Sequence, residues 1–196
     1  MGARYIIGDC HLGHKNISNF RKMTNPLTGI PYTSEEQHQL MIEQLSKINK
    51  RDTLFLLGDI AFDKESLELI KSLPCNDKIL ICGNHDLDQK LKMQDLIETY
   101  DKVFSLRSYK RCWLSHAPIH PMELRGKLAI HGHTHYQHML SDDGVIDSRY
   151  VSVCAEYTGF KPIKFEHAIS GEYHEECQEK FDKYVKLGYC SGTLDN

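Results

Sequence analysis

The chain has 196 residues, a hydrophobic fraction of 40% and a formal net charge of -3 at pH 7. This length suits one domain with a substantial core, and this charge excludes a general attraction to nucleic-acid phosphates. Because the apolar segment after Arg4 is too short for a signal peptide or a membrane span, we expect a cytoplasmic protein without membrane contact.

Short apolar runs that end in glycine or polar residues recur along the chain and predict buried strands. These runs occupy residues 4–8, 53–58, 78–83, 112–116, 128–132 and 150–154. An Asp-Asp-Gly turn at 142–144 also predicts a hairpin between 139–140 and 145–146. Strands that first alternate with helices and then follow one another predict an α/β fold, a two-sheet β-sandwich flanked by α-helices.

Capping signals predict where the helices begin. Two overlapping capping boxes, Thr-x-x-Glu and Ser-x-x-Gln, lie at 33–37 and predict a helix that starts there. Asp63 is predicted to begin a second helix, and the apolar period at about 88–100 predicts a third.

The C-terminal region is more polar than the rest of the chain and contains a helical pattern at about 175–187. We expect one domain at 1–169. Residues 170–196 are expected to form a helix and tail that pack on that domain or trail from it.

Residues of the types that bind metals follow each of the first five strands. They are Asp9 with His11, Asp59, Asn84 with His85 and Asp86, His116, and His133 with His135. In an extended backbone, two residues that are two positions apart point to the same side. The spacing therefore predicts one metal site built from several strand ends, with His131 and His138 as structural or solvent-facing histidines.

The ordered fragments D-x-H, G-D, G-N-H-D, a lone His and G-H-x-H resemble the signature of the calcineurin-like metallophosphoesterase superfamily, in particular its compact bacterial and viral members. The resemblance covers about residues 5–165. A single G-D pair would carry no weight, whereas five fragments in this order form a specific signal. The resemblance implies the metallophosphoesterase type of two-sheet β-sandwich and a binuclear metal centre.

The resemblance also implies how the ligands are divided between the two metals. One metal would be held by Asp9, His11, Asp59 and His135, and the second by Asp59, Asn84, His116 and His133. A carboxylate shared through Asp59 would lower the repulsion between two cations. The 7 cysteines include no CxxC pair, and nitrogen and oxygen ligands suit manganese, which we expect, or iron, zinc, nickel or cobalt.

His85 and Asp86 are the residues predicted to act in catalysis. In the family the histidine at the position of His85 faces the phosphate, where it donates to a non-bridging oxygen or protonates the leaving group. Asp86 is expected to favour the imidazolium form of His85, because a nearby carboxylate stabilises a positive charge.

Arg21, Arg125 and His14 are the candidate substrate-binding residues. Arginine binds phosphate oxygens in a bidentate manner, so Arg21 and Arg125 are candidates for holding a second phosphate or a nucleotide. The alternative for both arginines is an ordinary surface charge. His14 follows the D-x-H fragment and is equally well explained as a solvated loop residue.

These observations predict a metal-dependent phosphohydrolase, preferably a phosphodiesterase for nucleotides, cyclic nucleotides or other small phosphoesters. Nucleic-acid ends are possible substrates, and the expected assembly is a monomer or small homo-oligomer. The alternatives are a phosphomonoesterase, a non-catalytic metal-binding scaffold, and a protein that stores or senses metal.

Overall fold

Two β-sheets form the centre of the protein in the computed structural model, which describes residues 2–88 and 90–191. The strands are β1 (Arg4–Ile7), β2 (Thr53–Leu56), β3 (Asp77–Ile81), β4 (Lys102–Phe104), β5 (Leu106–Tyr109), β6 (Cys112–Ser115), β7 (Leu128–His131), β8 (Tyr150–Ser152) and β9 (Ile163–Lys164). The first sheet has the order β4-β3-β2-β1-β9 and the second has the order β5-β6-β7-β8. Helices cover the sheets, so the predicted α/β class with two sheets is confirmed.

Parallel pairing determines where the strands end. In the first sheet β1, β2, β3 and β4 are parallel, and β9 is antiparallel to β1. In the second sheet β6, β7 and β8 are parallel, and β5 is antiparallel to β6. The carboxyl ends of the parallel strands in each sheet therefore lie at one edge, which is where ligands bind in parallel sheets.

The alternation of side chains along β1 and β2 divides the interior into two apolar layers. Ile6 and Phe55 belong to the cluster between the sheets, together with Ile130 of the second sheet. Their neighbours Ile7 and Leu54 belong to the cluster that packs against the helices. Because successive strand residues point to opposite faces, a strand buried on both faces is apolar throughout.

The helices are α1 (Ile17–Phe20), α2 (Ser34–Leu45), α3 (Lys64–Lys71), α4 (Met93–Thr99), α5 (Ala155–Thr158), α6 (Phe165–Ala168) and α7 (Gly171–Lys186), with a 3-10 turn at Pro121–Glu123. The predicted starts of α2 and α3 are confirmed. Thr33 caps α2 in a capping box with Glu36, and Asp63 caps α3 by accepting from the backbone N–H of Ser66.

Two predicted elements are shorter than expected. Helix α4 begins after Lys92 and not near Asp88, because the Lys92 backbone N–H donates to the carboxylate of Asp95 and fixes the cap there. The predicted hairpin is reduced to an isolated antiparallel bridge between Leu140 and Ile146. Local turn chemistry brings these residues together, but no extended ladder follows.

Helix α7 starts earlier than the predicted 175, because Ser170 caps it by accepting from the backbone N–H of Tyr173. Its residues Tyr173, Cys177 and Phe181 are buried in the cluster between the sheets. Within residues 2–88 and 90–191, no helix combines the length and apolarity needed to cross a membrane.

Two neighbouring histidines, His131 and His138, are buried in the interior, with ring centroids 5.9 Å apart. Burial lowers the pKa of His131 to about 4 and that of His138 to about 3. Neither ring nitrogen of His138 has a hydrogen-bond partner among the described residues. Both imidazoles are therefore neutral in the native protein at neutral pH, because charging either would place an unpaired cation in the core.

We predict that His138 contributes to acid unfolding. Its native pKa lies below the unfolded value, so the associated stability is complete above about pH 6.5 and is lost as the pH falls towards the native pKa. His138→Phe keeps an aromatic ring against Tyr157 and should reduce the slope of unfolding free energy against pH by up to about 1.4 kcal/mol per pH unit.

Urea unfolding of the metal-free protein at a series of acidic pH values measures that slope. His120→Phe is the control, since His120 is exposed and should leave the slope unchanged. An unaltered slope in His138→Phe would show that His138 is not an acid-sensitive group.

Candidate metal centre

The exits of six strands supply polar groups to one region. Asp9 and His11 follow β1, Asp59 follows β2 and Asn84 follows β3 in the first sheet. In the second sheet, His116 follows β6, His133 and His135 follow β7, and Glu156 follows β8. Because these strands are parallel within each sheet, their exits share an edge, and the facing sheets bring the two edges together.

The donor atoms of these residues form two overlapping groups among the described residues. The first contains Asp9, His11 and His135, and the second contains Asp9, Asp59 and His116. Within each group the donor atoms lie within 4.8 Å of one another. Nitrogen and carboxylate oxygen at this spacing can hold transition-metal cations.

Asn84 and His133 lie beside the second group. Oδ1 of Asn84 is 3.0 Å from Nε2 of His116, and Nδ1 of His133 is 3.2 Å from the same nitrogen. The structure therefore brings the predicted ligands Asn84 and His133 into contact with the predicted ligand His116.

Asp59 lies between histidines of the two predicted metal positions. Its Oδ2 is 3.9 Å from Nε2 of His11 and 3.4 Å from Nε2 of His116. Asp9 is common to both donor groups, so each carboxylate lies beside histidines of both predicted positions. The assignment of Asp59 as the bridging ligand stays a prediction.

Five of these residues have backbone conformations that L-amino acids rarely adopt. The φ angles are 56° for Asp9, 51° for His11, 54° for Asp59, 72° for His133 and 50° for His135. Each such residue costs about 1–3 kcal/mol and persists only where the surrounding structure enforces it. Because these five residues lie at one site, we infer that the backbone bends at the strand exits so that their side chains point into the site.

Glycines at the strand exits leave space for the carboxylates. A Cβ on Gly132 would overlap Oδ2 of Asp9, and a Cβ on Gly83 would overlap Oδ1 of Asp59. The backbone therefore approaches both carboxylates more closely than any other residue type would allow.

The charge states fit a cationic occupant. Burial alone would raise the pKa of Asp59, but the hydrogen bond and positive charge of His116 outweigh it and lower that pKa to about 2. Burial also lowers the pKa of His11, which keeps its imidazole neutral. Neither ring nitrogen of His11 has a hydrogen-bond partner within the described part of the chain. An ionised carboxylate and a neutral, unpaired imidazole are what a metal requires.

His116 has a backbone partner typical of a metal-binding histidine. Its Nδ1 donates to the carbonyl oxygen of Leu57 at 2.9 Å, which directs Nε2 towards Asp59 and Asn84. Burial opposes its protonation, but Asp59 and Asp9 raise the pKa of His116 to about 9. Binding of a metal there would displace a proton.

A cleft of about 340 Å³ opens beside the donor groups. Its lining includes His14, Lys15, Phe62, His85, Asp88 and Lys90. The ring of Phe62 lies 5.0 Å from that of His11 and 5.4 Å from that of His85, measured between centroids. Phe62 thus connects the donor groups to the cleft. His14 also lines the cleft, and its contact with substrate stays a prediction.

The predicted role of Asp86 is wrong. Asp86 is buried, and its carboxylate accepts from the backbone N–H groups of Asp59, Ile60 and Gly83. It therefore holds the exits of β2 and β3 together. The carboxylate that contacts His85 is that of Asp88, whose Oδ2 is 3.4 Å from Nδ1 of His85. The prediction chose Asp86 because it is adjacent to His85 in the sequence, whereas the carboxylate in contact is three positions away.

The prediction that Arg21 binds substrate is also wrong, because its side chain is only 1% exposed. It pairs with Glu156 and donates to the main-chain carbonyl oxygens of Asp9 and Cys10. Arg125 is exposed and pairs with Glu123 at 3.1 Å. It is not among the lining residues of the cleft, and its contact with substrate stays a prediction.

Glu156 is the residue of this site that sequence reasoning missed. Its Oε1 lies 2.9 Å from Nδ1 of His135. Burial raises the pKa of Glu156, but the charges of Arg21 and His135 outweigh it and leave the pKa well below its usual range. Its position in the sequence could have identified it, because Glu156 comes just after the strand predicted at 150–154. The other site residues were found because they follow predicted strands in the same way.

Comparison with known proteins places this geometry in context. The family model described as calcineurin-like phosphoesterase matches residues 4–151. The chain is 28% identical to the "Gene 66 protein" of Mycobacterium phage L5 over 177 aligned positions, which cover 72% of this chain and 81% of that protein. It also resembles the crystal structure of a protein of unknown function, AQ665, from Aquifex aeolicus, with a TM-score of 0.62 and 27% identity over 84% of this chain and 96% of that one.

We predict that Gly132→Ala weakens metal binding without unfolding the protein. The added Cβ would overlap Oδ2 of Asp9 and lie 3.0 Å from the carbonyl oxygen of Leu57, so the carboxylate must move. We expect the affinity for Mn²⁺, measured by isothermal titration calorimetry, to fall by about 10-fold or more.

Gly171→Ala is the matched control. Gly171 begins helix α7, and nothing lies within 4 Å of its added Cβ. This variant should bind Mn²⁺ like the wild type. Equal affinities for Gly132→Ala and wild type would show that Asp9 does not hold metal in the position the structure gives it.

Proposed function

This chain belongs to the calcineurin-like phosphoesterase family, and from that premise we propose that it is a metal-dependent phosphohydrolase, a phosphodiesterase that acts on nucleotides, cyclic nucleotides or other small phosphoesters. The observation that carries the proposal is the convergence of Asp9, His11, Asp59, His116 and His135 on one small volume beside a cleft. The strained backbone at several of these residues supports a functional role, since it stabilises nothing by itself.

Two divalent ions fit this donor set, and manganese is the metal we propose. Asp9, His11, Asp59 and His135 would hold one ion, and Asp59, Asn84, His116 and His133 the other. Such ions supply Lewis-acid activation of the phosphate and of the attacking water. The donors contain no thiolate, which favours manganese or iron over a sulfur-bound zinc.

His85 is the residue that we propose acts on the substrate. Its ring lines the cleft and lies 6.3 Å from the ring of His11, between centroids. Asp88 contacts Nδ1 of His85 at 3.4 Å, which would orient the imidazole and leave Nε2 to donate to a phosphate oxygen or to the leaving group. A proton donated there lowers the barrier to departure of an alkoxide.

The charges of the cleft support an anionic substrate of modest size. Lys15, Lys90 and His14 line it, and Phe62 provides an apolar surface. The overall charge of the chain is negative, so Lys15 and Lys90 are the local cations that would attract a phosphoester. A volume of about 340 Å³ suits a nucleotide-sized ligand.

Hydrolysis assays with the Mn²⁺-loaded protein test the proposal. The substrates are bis-p-nitrophenyl phosphate as a diester, p-nitrophenyl phosphate as a monoester, and cyclic nucleotides. We expect turnover of the diesters to exceed that of the monoester. Preference for the monoester would indicate a phosphomonoesterase. Metal binding without hydrolysis of any substrate would indicate a scaffold or a metal-storage protein and would overturn the proposal.

We predict that His85→Asn lowers the turnover number by about 10²-fold or more, because the variant cannot donate the proton, while metal content stays near that of wild type. Steady-state kinetics and elemental analysis measure the two quantities. His167→Asn is the control, since that imidazole contacts Glu176 instead of lining the cleft. Undiminished turnover in His85→Asn would remove His85 from the mechanism.

A further inference from the structure

The buried ion pair between Arg21 and Glu156 connects two predicted metal ligands that come from different sheets. We propose that Glu156, held by Arg21, is a positioning residue for His135 and thereby controls the affinity of the metal position formed by Asp9, His11 and His135. This inference rests on the proposed metal centre but not on the identity of the phosphoester.

Glu156 determines which nitrogen of His135 is available. Nδ1 of His135 donates to Oε1 of Glu156 at 2.9 Å, so Nε2 remains free for a metal. A carboxylate behind a histidine ligand fixes its tautomer and ring orientation and makes it a stronger ligand. The arrangement matters here because the φ angle of His135 is 50°, and the strained backbone would relax if nothing held the ring.

Arg21 extends this connection to the opposite sheet. Its Nε donates to Oε1 of Glu156 at 2.6 Å, and its other nitrogens donate to the main-chain carbonyl oxygens of Asp9 and Cys10. Asp9 follows β1 in the first sheet, and His135 follows β7 in the second. The guanidinium therefore sets the separation between two ligands of the same metal position.

Packing keeps the pair rigid. The ring of Phe160 lies 5.4 Å from the guanidinium carbon of Arg21, and the hydroxyl of Tyr184 donates to the main-chain oxygen of Glu156 at 3.0 Å. A positioning group must itself be locked by its surroundings. Through Tyr184, helix α7 packs behind the metal centre. This helix lies outside residues 4–151, which match the family model.

The energetics argue against a role in stability alone. Both side chains are only 1% exposed, and removing two ions from water costs several kcal/mol for each ion. Oε2 of Glu156 has no hydrogen-bond partner among the described residues, so part of that cost is left uncompensated. Two apolar side chains would fill the same space at a lower cost in desolvation free energy. Glu156 and Arg21 instead hydrogen-bond to His135 and to the main chain of Asp9 and Cys10, as well as to each other.

The proposal predicts a selective effect. Glu156 contacts His135. The second position is formed by Asp59, Asn84, His116 and His133, and no hydrogen bond or ion pair joins these residues to Glu156 in the described part of the chain. Loss of the Glu156 charge should therefore weaken one metal position and spare the other.

Titration of the metal-free protein with Mn²⁺, followed by calorimetry and electron paramagnetic resonance, tests this. In Glu156→Gln we expect one of the two Mn²⁺ affinities to fall by about 10- to 100-fold and the other to stay unchanged. The visible spectrum of the Co²⁺-loaded variant should also change, since the geometry of one ion is altered. Glu166→Gln is the matched control, because Glu166 pairs with Arg4 and Lys110 at the surface.

Glu156→Asp and thermal unfolding of the metal-free variants separate positioning from stability. Glu156→Asp keeps the charge but shortens its reach, and it should retain more of the affinity than Glu156→Gln. Unchanged Mn²⁺ affinities in both variants, equal loss at both positions, or failure of both to fold would overturn the proposal.

The titration needs no substrate, so the two proposals fail independently. A wild-type protein that binds two ions and hydrolyses nothing would refute the proposed function and leave this inference standing. A wild-type hydrolase whose Mn²⁺ affinities are insensitive to Glu156 would do the reverse.

Discussion

Two carboxylates, Asp9 and Asp59, come within 4.8 Å of each other in the interior, and both are almost completely buried. Like charges at this distance repel, and burial removes the water that would screen them. Positive charge and hydrogen-bond donors around the two carboxylates offset this repulsion. His116 holds a proton with a pKa of about 9, and the backbone N–H groups of His133 and His85 donate to Asp9 and Asp59. A pair of divalent cations would neutralise these carboxylates more completely than protons do.

Keeping such a cluster assembled requires a rigid frame around bent strand exits. The left-handed residues at the exits are unfavourable by themselves and are retained because neighbouring groups leave no alternative. Asp86 contributes directly, since its carboxylate joins the exit of β2 to that of β3 through three backbone N–H groups. Arg21 joins the exit of β1 to Glu156. Asp86, predicted to act in catalysis, and Arg21, predicted to bind substrate, are thus buried charges that hold other residues in place.

The histidines show how environment decides the use of one residue type. His116 beside two carboxylates is a strong base, whereas His138 in an apolar layer stays neutral well below its usual pKa. Burial keeps His11 neutral, and neither of its ring nitrogens has a hydrogen-bond partner among residues 2–88 and 90–191. His85 lines the cleft beside Asp88. The protonation of each histidine therefore depends on the charges and the solvent around its ring.

Local sequence was sufficient for much of the architecture. Apolar runs located the strands that carry the site, capping residues located the starts of α2 and α3, and the order of elements indicated two sheets. These features depend on neighbours in the chain, through side-chain alternation and backbone capping. The residue types at the strand exits were equally visible, because each follows its strand by only a few residues.

What the tertiary structure alone decided concerns residues whose partners are distant in sequence. Arg21 and Glu156 are 135 positions apart, and Asp86 reaches back 27 positions to the backbone of Asp59. Arg21 was predicted to bind substrate, Asp86 was predicted to act in catalysis, and Glu156 was missed, because burial and pairing across strands leave no local signature. Arg21 and Glu156 meet only when the two sheets face each other, and Asp86 reaches the backbone of Asp59 only when β2 pairs with β3. The cost of burying a charge without a partner then favours the pairings that hold the site together.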